Sequence, residues 1–144
     1  MTRHHVRFSA AVLCVCAALT GYLALAVDEP KPIAVPESEK AKKNPVPNVP
    51  EALASGKSLF QSQCSMCHGT KGDGRGDIAV TQKMKVPDFT DPKTQARRTD
   101  GELFYILSQG HGDMPAEKRL ADQNKWEMIL YLRTLVSPAA TPRG

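Results

Sequence analysis

The chain has 144 residues, 41% of them hydrophobic, and a formal charge of +4, which suits one domain of ordinary size. The excess charge sits near the termini. Between residues 51 and 136 twelve Lys and Arg face eleven Asp and Glu, which gives no basis for a nucleic-acid partner. One Trp, three Tyr and four Phe make a thin apolar supply, so a bound group would have to complete the core.

Residues 1–27 begin with Arg3 and Arg7 and continue as an apolar run from Phe8 to Val27. Two readings stand. Ala24-Leu25-Ala26 has the small-x-small form of a signal-peptidase site. Twenty mostly apolar residues, at about 1.5 Å each, also reach across a bilayer core as an uncleaved anchor. Arg3 and Arg7 then hold the N-terminus inside. Either reading exports the remainder to a periplasmic or other extracytoplasmic compartment. Cys14 and Cys16 fall inside this run, leaving Cys64 and Cys67 downstream, so the chain is no disulfide scaffold. Residues 28–50 hold six of the eleven prolines, with lysine and glutamate between them. That composition buries little and predicts a flexible, extended linker.

Residues 51–63 read as a helix with Pro50 and Glu51 in its first turn. Leu53, Gly56 and Phe60 fall on one stripe, and a glycine there suits a close crossing by another helix. Cys64-Ser65-Met66-Cys67-His68 follows, the C-x-x-C-H signature of covalent c-type haem attachment. The two thiols reach one porphyrin edge as thioethers, and His68 turns its imidazole to the iron. A zinc site wants a second ligand pair, which is absent. A thioredoxin-like pair wants a βαβ setting, and a structural disulfide leaves His68 unexplained. The motif occurs once, so one haem is expected. Gly69 to Gly76 then holds four glycines, spaced unlike either nucleotide fingerprint, and reads as a sharp backbone turn beside the porphyrin.

Asp77 to Met84 fits a short helical turn. Val86 to Pro92 reads as loop. In it Pro87 keeps a carbonyl that is a candidate acceptor for the Nδ1 proton of His68, and Phe89 is a candidate to pack on the haem. Thr99-Asp100-Gly101-Glu102 is a capping box that opens a helix ended by Gly110. Met114, in a loop stiffened by Pro115, is read as the second axial ligand of the iron, paired with His68. His111 is its rival and Met84 the next, while Met66 lies between the attachment cysteines. The last helix, from about Asp122 to Val136, is apolar nearly all round and therefore buried. Residues 137–144 should be a frayed, disordered tail.

This order of parts resembles the class I c-type cytochromes over residues 51–136. The Gly56–Phe60 helix, Cys64-Ser65-Met66-Cys67-His68, Gly112-Asp113-Met114-Pro115 and the Trp126–Leu135 helix carry the likeness. The resemblance implies an all-α fold around one covalent haem c, with the N- and C-terminal helices crossing near Gly56, Phe60, Met128 and Tyr131. It also implies a low-spin iron that shuttles single electrons between redox protein partners, as a carrier rather than an enzyme. Membrane respiratory complexes are the expected partners. The alternative is a haem subunit held inside a larger oxidoreductase.

Overall fold

The structure is a computed structural model that describes residues 33–136. The described residues form seven helices and no strand: α1 Glu37–Lys40, α2 Pro50–Gln63, α3 Ser65–His68, α4 Asp77–Gln82, α5 Pro92–Ala96, α6 Asp100–Gln109 and α7 Asp122–Arg133. The fold is all-α, as expected. The apolar run 8–27 and the tail 137–144 lie outside the described residues. Among the described residues no helix is long and apolar enough to cross a membrane.

The frame is the crossing of α2 and α7. Pro50 opens α2 at the position where a missing N–H is harmless, after extended Val49. Its buried face is Ala52, Gly56 and Phe60. The stripe expected to begin at Leu53 therefore begins one residue earlier, where a smaller side chain lets the partner helix approach. A Cβ on Gly56 would lie 2.6 Å from the carbonyl carbon of Glu127 and 3.1 Å from the nitrogen of Met128. Ser55 closes the crossing by donating its hydroxyl to the Glu127 carboxylate at 2.5 Å.

Lys125 through Ile129 are all buried because α7 is covered on two sides. Toward α2, the Tyr131 ring stands 5.7 Å from Phe60. Toward α6, Trp126 stacks on Phe104 at 4.2 Å and joins a cluster with Ile129. The Thr99–Glu102 capping box forms as the sequence predicts, with both reciprocal bonds made.

The expected linker is different where the structure describes it. Residues 33–50 lie against the helices as a strap. Val35 is only 6% exposed, and Val46 packs on the Phe104–Trp126–Ile129 cluster. The Thr99 hydroxyl donates to the Lys40 carbonyl at 2.9 Å, and the Asn44 amide donates to the Trp126 carbonyl at 2.9 Å. Gly101 gives the strap room, since a Cβ there would come within 3.1 Å of the Glu39 carbonyl carbon. Proline, lysine and glutamate offer little to bury, but this strap binds through Val35 and Val46, the Lys40 carbonyl and the Asn44 side-chain amide. The Val86–Pro92 loop also ends earlier than expected, because Asp91 caps the short α5 by accepting from the nitrogens of Lys93 and Thr94.

Candidate haem site

The site is built on the corner where α2 gives way to α3. Cys64 still closes the α2 ladder, its nitrogen donating to Phe60 O at 2.9 Å. Its own carbonyl then accepts from Cys67 N and His68 N, at 3.1 and 2.9 Å. One helical turn therefore carries Cys64, Cys67 and His68. Both cysteines are half-buried free thiols. Cys64 Sγ rests 4.0 Å from Met128 Sδ, so the corner is seated on α7. Burial pushes the Cys64 thiol up to about 11, with the charges of Glu117 and Cys67 adding to it.

The His68 ring stacks on Phe89, with centroids 5.3 Å apart and planes 24° from parallel, and Phe60 tilts against it at 6.4 Å. Burial lowers the imidazole pKa, which favours the neutral ring that a metal ligand needs. Its Nδ1 is buried without a hydrogen-bond partner. The bond expected from Nδ1 to the Pro87 carbonyl is thus not made. Pro87 is exposed, and its carbonyl lies beside Gly74, where a Cβ would meet it at 3.1 Å. Gly74 (φ 74°) follows His68 closely, and its nitrogen donates to the His68 carbonyl at 2.9 Å. The glycine turn thereby folds back over the histidine, as its composition suggests.

Met114 sits on a turn with His111, the two residues exchanging both backbone hydrogen bonds at 2.9 Å. Met114 and its first rival His111 thus belong to one short turn. The turn is tied down twice. Glu117 N donates to Leu107 O at 2.8 Å, which anchors it to α6. Arg119 donates through Nη2 to Gln63 Oε1 at 2.9 Å, which anchors it beside Cys64. Glu117 holds the Arg119 guanidinium in place with a 2.9 Å ion pair, and that pairing lowers the carboxyl's own pKa. The sequence singled out none of Gln63, Glu117 or Arg119. A polar loop of mixed charge resembles any solvated surface, and only tertiary contact separates it from one. Met66 is 62% exposed between the two cysteines, and Met84 lies just past α4, which is joined through Asp77 to the glycine turn.

The donor set fits haem c. Two unbridged thiols stand one turn apart, followed by a neutral imidazole with no protein partner on its buried nitrogen. Among the described residues no group of three or more His, Cys, Asp or Glu is placed to hold a metal ion alone.

Comparison with known proteins agrees. The family model described as cytochrome c oxidase, cbb3-type, subunit III matches residues 51–132. A cbb3-type cytochrome c oxidase subunit FixPc of Rhizobium leguminosarum bv. viciae is 30% identical over 91 residues, covering 62% of this chain and 30% of the relative. The chain thus spans less than a third of that protein's length. A cytochrome c of Tetrahymena pyriformis is 28% identical over 114 residues, covering 65% of this chain and 98% of the relative. In fold, the chain is similar to the KustC0563 c-type cytochrome, with a TM-score of 0.50 at 19% identity over 57% of this chain and 98% of that one. It is also similar to a chain of the Kuenenia stuttgartiensis reducing HAO-like protein complex Kustc0457/Kustc0458. There the TM-score is 0.55 at 23% identity, over 79% of this chain and 54% of that one. With its matched body spanning the crossed helices and the Cys64–His68 corner, the chain belongs to the c-type cytochrome family of cbb3-type cytochrome c oxidase subunit III.

Proposed function

We propose that this chain is an extracytoplasmic electron-transfer protein whose haem c is joined to Cys64 and Cys67 and ligated by His68 and Met114. The observation that carries the reading is the half-buried His68 ring, set between Phe89 and Phe60 immediately after two free thiols. The haem supplies a single iron that gains and loses one electron. Everything else is work for the chain. Cys64 and Cys67 fix the macrocycle edge to the α2–α3 corner. Phe89 and Phe60 keep water from His68 and hold its plane. The His111–Met114 turn presents a thioether, which favours the reduced iron and raises the potential. Two protein ligands close the iron to small molecules, which separates a carrier from an oxygen-handling enzyme.

The reduced protein should therefore cycle by one electron and leave its spectrum unchanged under carbon monoxide. A shifted spectrum under carbon monoxide would point instead to a ligand-binding iron. A second reading is that the chain works as a haem subunit of a larger oxidoreductase. It is favoured by the cbb3-type oxidase subunits among its relatives, which are more than three times longer than the matched segment. Co-purification of a respiratory complex from membranes would support it, and a free monomer in every fraction would oppose it.

For residues 1–27 we keep the uncleaved anchor as the reading, with redox partners in the membrane. Any leash then lies upstream of residue 33, because the strap is docked on the haem domain. Membrane fractionation with N-terminal sequencing decides the matter. A mature soluble chain that begins at Val27 would establish the cleaved signal and remove the anchor.

A further inference from the structure

The plane of a ligating imidazole is set by what its ring touches as well as by its second nitrogen. The His68 ring is stacked on Phe89 within 24° of parallel. What holds Phe89 therefore bears on the plane of His68. The Phe89 nitrogen donates to the Gly72 carbonyl at 2.7 Å, inside the turn that follows His68. The Phe89 carbonyl accepts from Gln95 Nε2 at 2.8 Å.

Gln95 is 8% exposed, and its side chain has every polar position filled. The second Nε2 hydrogen goes to the Leu132 carbonyl at 2.7 Å, on the last turn of α7. Oε1 accepts from Arg133 Nη1 at 2.9 Å. That contact decides which way the amide faces, since a guanidinium only donates. Arg133 is itself fixed on four sides. It also donates to the Gln95 carbonyl at 2.8 Å, to Asp100 Oδ1 at 2.8 Å and to the Arg98 carbonyl at 2.7 Å. A carboxamide suits this place because it meets two carbonyl acceptors and one cationic donor at once. Leucine would leave both carbonyls without this donor and Nη1 with one acceptor instead of two, and glutamate would set a carboxylate against two carbonyl oxygens.

We propose that Gln95, oriented by Arg133, is a positioning residue for the proximal histidine, acting through the Phe89 backbone and ring to set the plane of His68. The inference rests on His68 as an iron ligand. The relay runs from the C-terminal turn of α7 through α5 to the Phe89 loop, so the helix that packs the core also orients the ligand.

The test uses the haem-loaded full chain. Gln95→Leu, Phe89→Leu and the double variant are compared by the spread of their paramagnetically shifted haem methyl resonances, which follows the axial imidazole plane, and by their reduction potential. Gln95→Leu should change the methyl spread in the same sense as Phe89→Leu. The double variant should change it no further than Phe89→Leu alone. Val46→Ala, which loosens the Phe104–Trp126 cluster away from His68, should lower stability and leave the spread unchanged. Should Gln95→Leu fail to accumulate, Gln95→Glu keeps the shape and removes both donors, and is read the same way. A parental methyl spread in a folded Gln95 variant, or shifts that simply add in the double variant, would overturn the relay. Failure of the haem reading is distinct, because then no variant and no parent would carry covalent pigment.

Discussion

Replacing Gly56 with alanine sets the packing of the α2–α7 crossing against helix propensity. In an exposed helix the change would stabilise by about 1 kcal/mol, since glycine is the poorer helix former. Here the added Cβ lands 2.6 Å from the Glu127 carbonyl carbon. Carbon atoms settle about 3.5–4.0 Å apart, so the helices must separate by about 1 Å. The obstacle is α7 backbone rather than the tip of a flexible side chain, and it has no rotamer in which to give way. A gap of about 1 Å forfeits roughly a quarter to a half of the dispersion attraction at each affected contact. The residues at the crossing include Phe60 on α2 and Met128 on α7, both among the most deeply buried large side chains. Overpacking of this kind destabilises by about 1–3 kcal/mol, which outweighs the propensity gain when the opening spreads along the helix. We expect Gly56→Ala to lower the midpoint of thermal unfolding, at about 4–8 °C per kcal/mol for a domain of this size, and Gly56→Val to lower it more. Melting of the haem-loaded variants by circular dichroism is the assay. A Gly56→Ala protein as stable as the parent, or more so, would refute the close crossing.

Met114→Ala should abolish the weak sulfur-to-iron band at the red end of the oxidised spectrum and lower the potential, while His111→Ala should retain the band. The reverse pattern would assign the distal place to His111. Deleting residues 33–48 should lower the unfolding midpoint and expose Trp126 to quenchers, because the strap bonds the Trp126 carbonyl and covers its cluster. An unchanged midpoint would mean that the segment is a free linker after all. The Glu127 carboxyl is held below its usual range, chiefly by the Ser55 hydroxyl and then by the amides of Gln123 and Asn124. A depressed folded pKa contributes stability that is complete above the ordinary carboxylate range and lost as pH falls through the lowered value. Ser55→Ala should therefore cost stability near neutrality and flatten the acid side of a stability–pH profile, and an unaltered profile would remove the clamp from the account.

The sequence disclosed what is local. Cys64, Cys67 and His68 are five residues long as a signal, and the Thr99–Glu102 box needs only its own turn. Gly56 was legible because a glycine on an otherwise packed helix face asks for a close neighbour, and α7 was legible because its apolar residues surround it. What stayed hidden is long-range and polar. The strap binds through one backbone carbonyl, one Asn44 amide and two spaced valines, too scattered to make a periodic side-chain pattern. Gln95 and Arg133 look like solvated residues until two helices and a loop converge on them. Pro87 shows the opposite case. Its carbonyl is a sound acceptor by type, yet it lies beside Gly74 and makes no hydrogen bond to His68 Nδ1. Asp91-Pro92 reads as loop punctuation in the sequence and is the start of a helix in the fold, since Asp is both a turn former and an N-cap.

The mass of the mature chain, measured after acid-acetone extraction and denaturation, tests the central assignment most directly. The account predicts a mass increased by one haem, retained through extraction, and shifted onto a peptide that contains both Cys64 and Cys67 after proteolysis. A colourless chain at its bare mass, with the pigment in the extract, would contradict it.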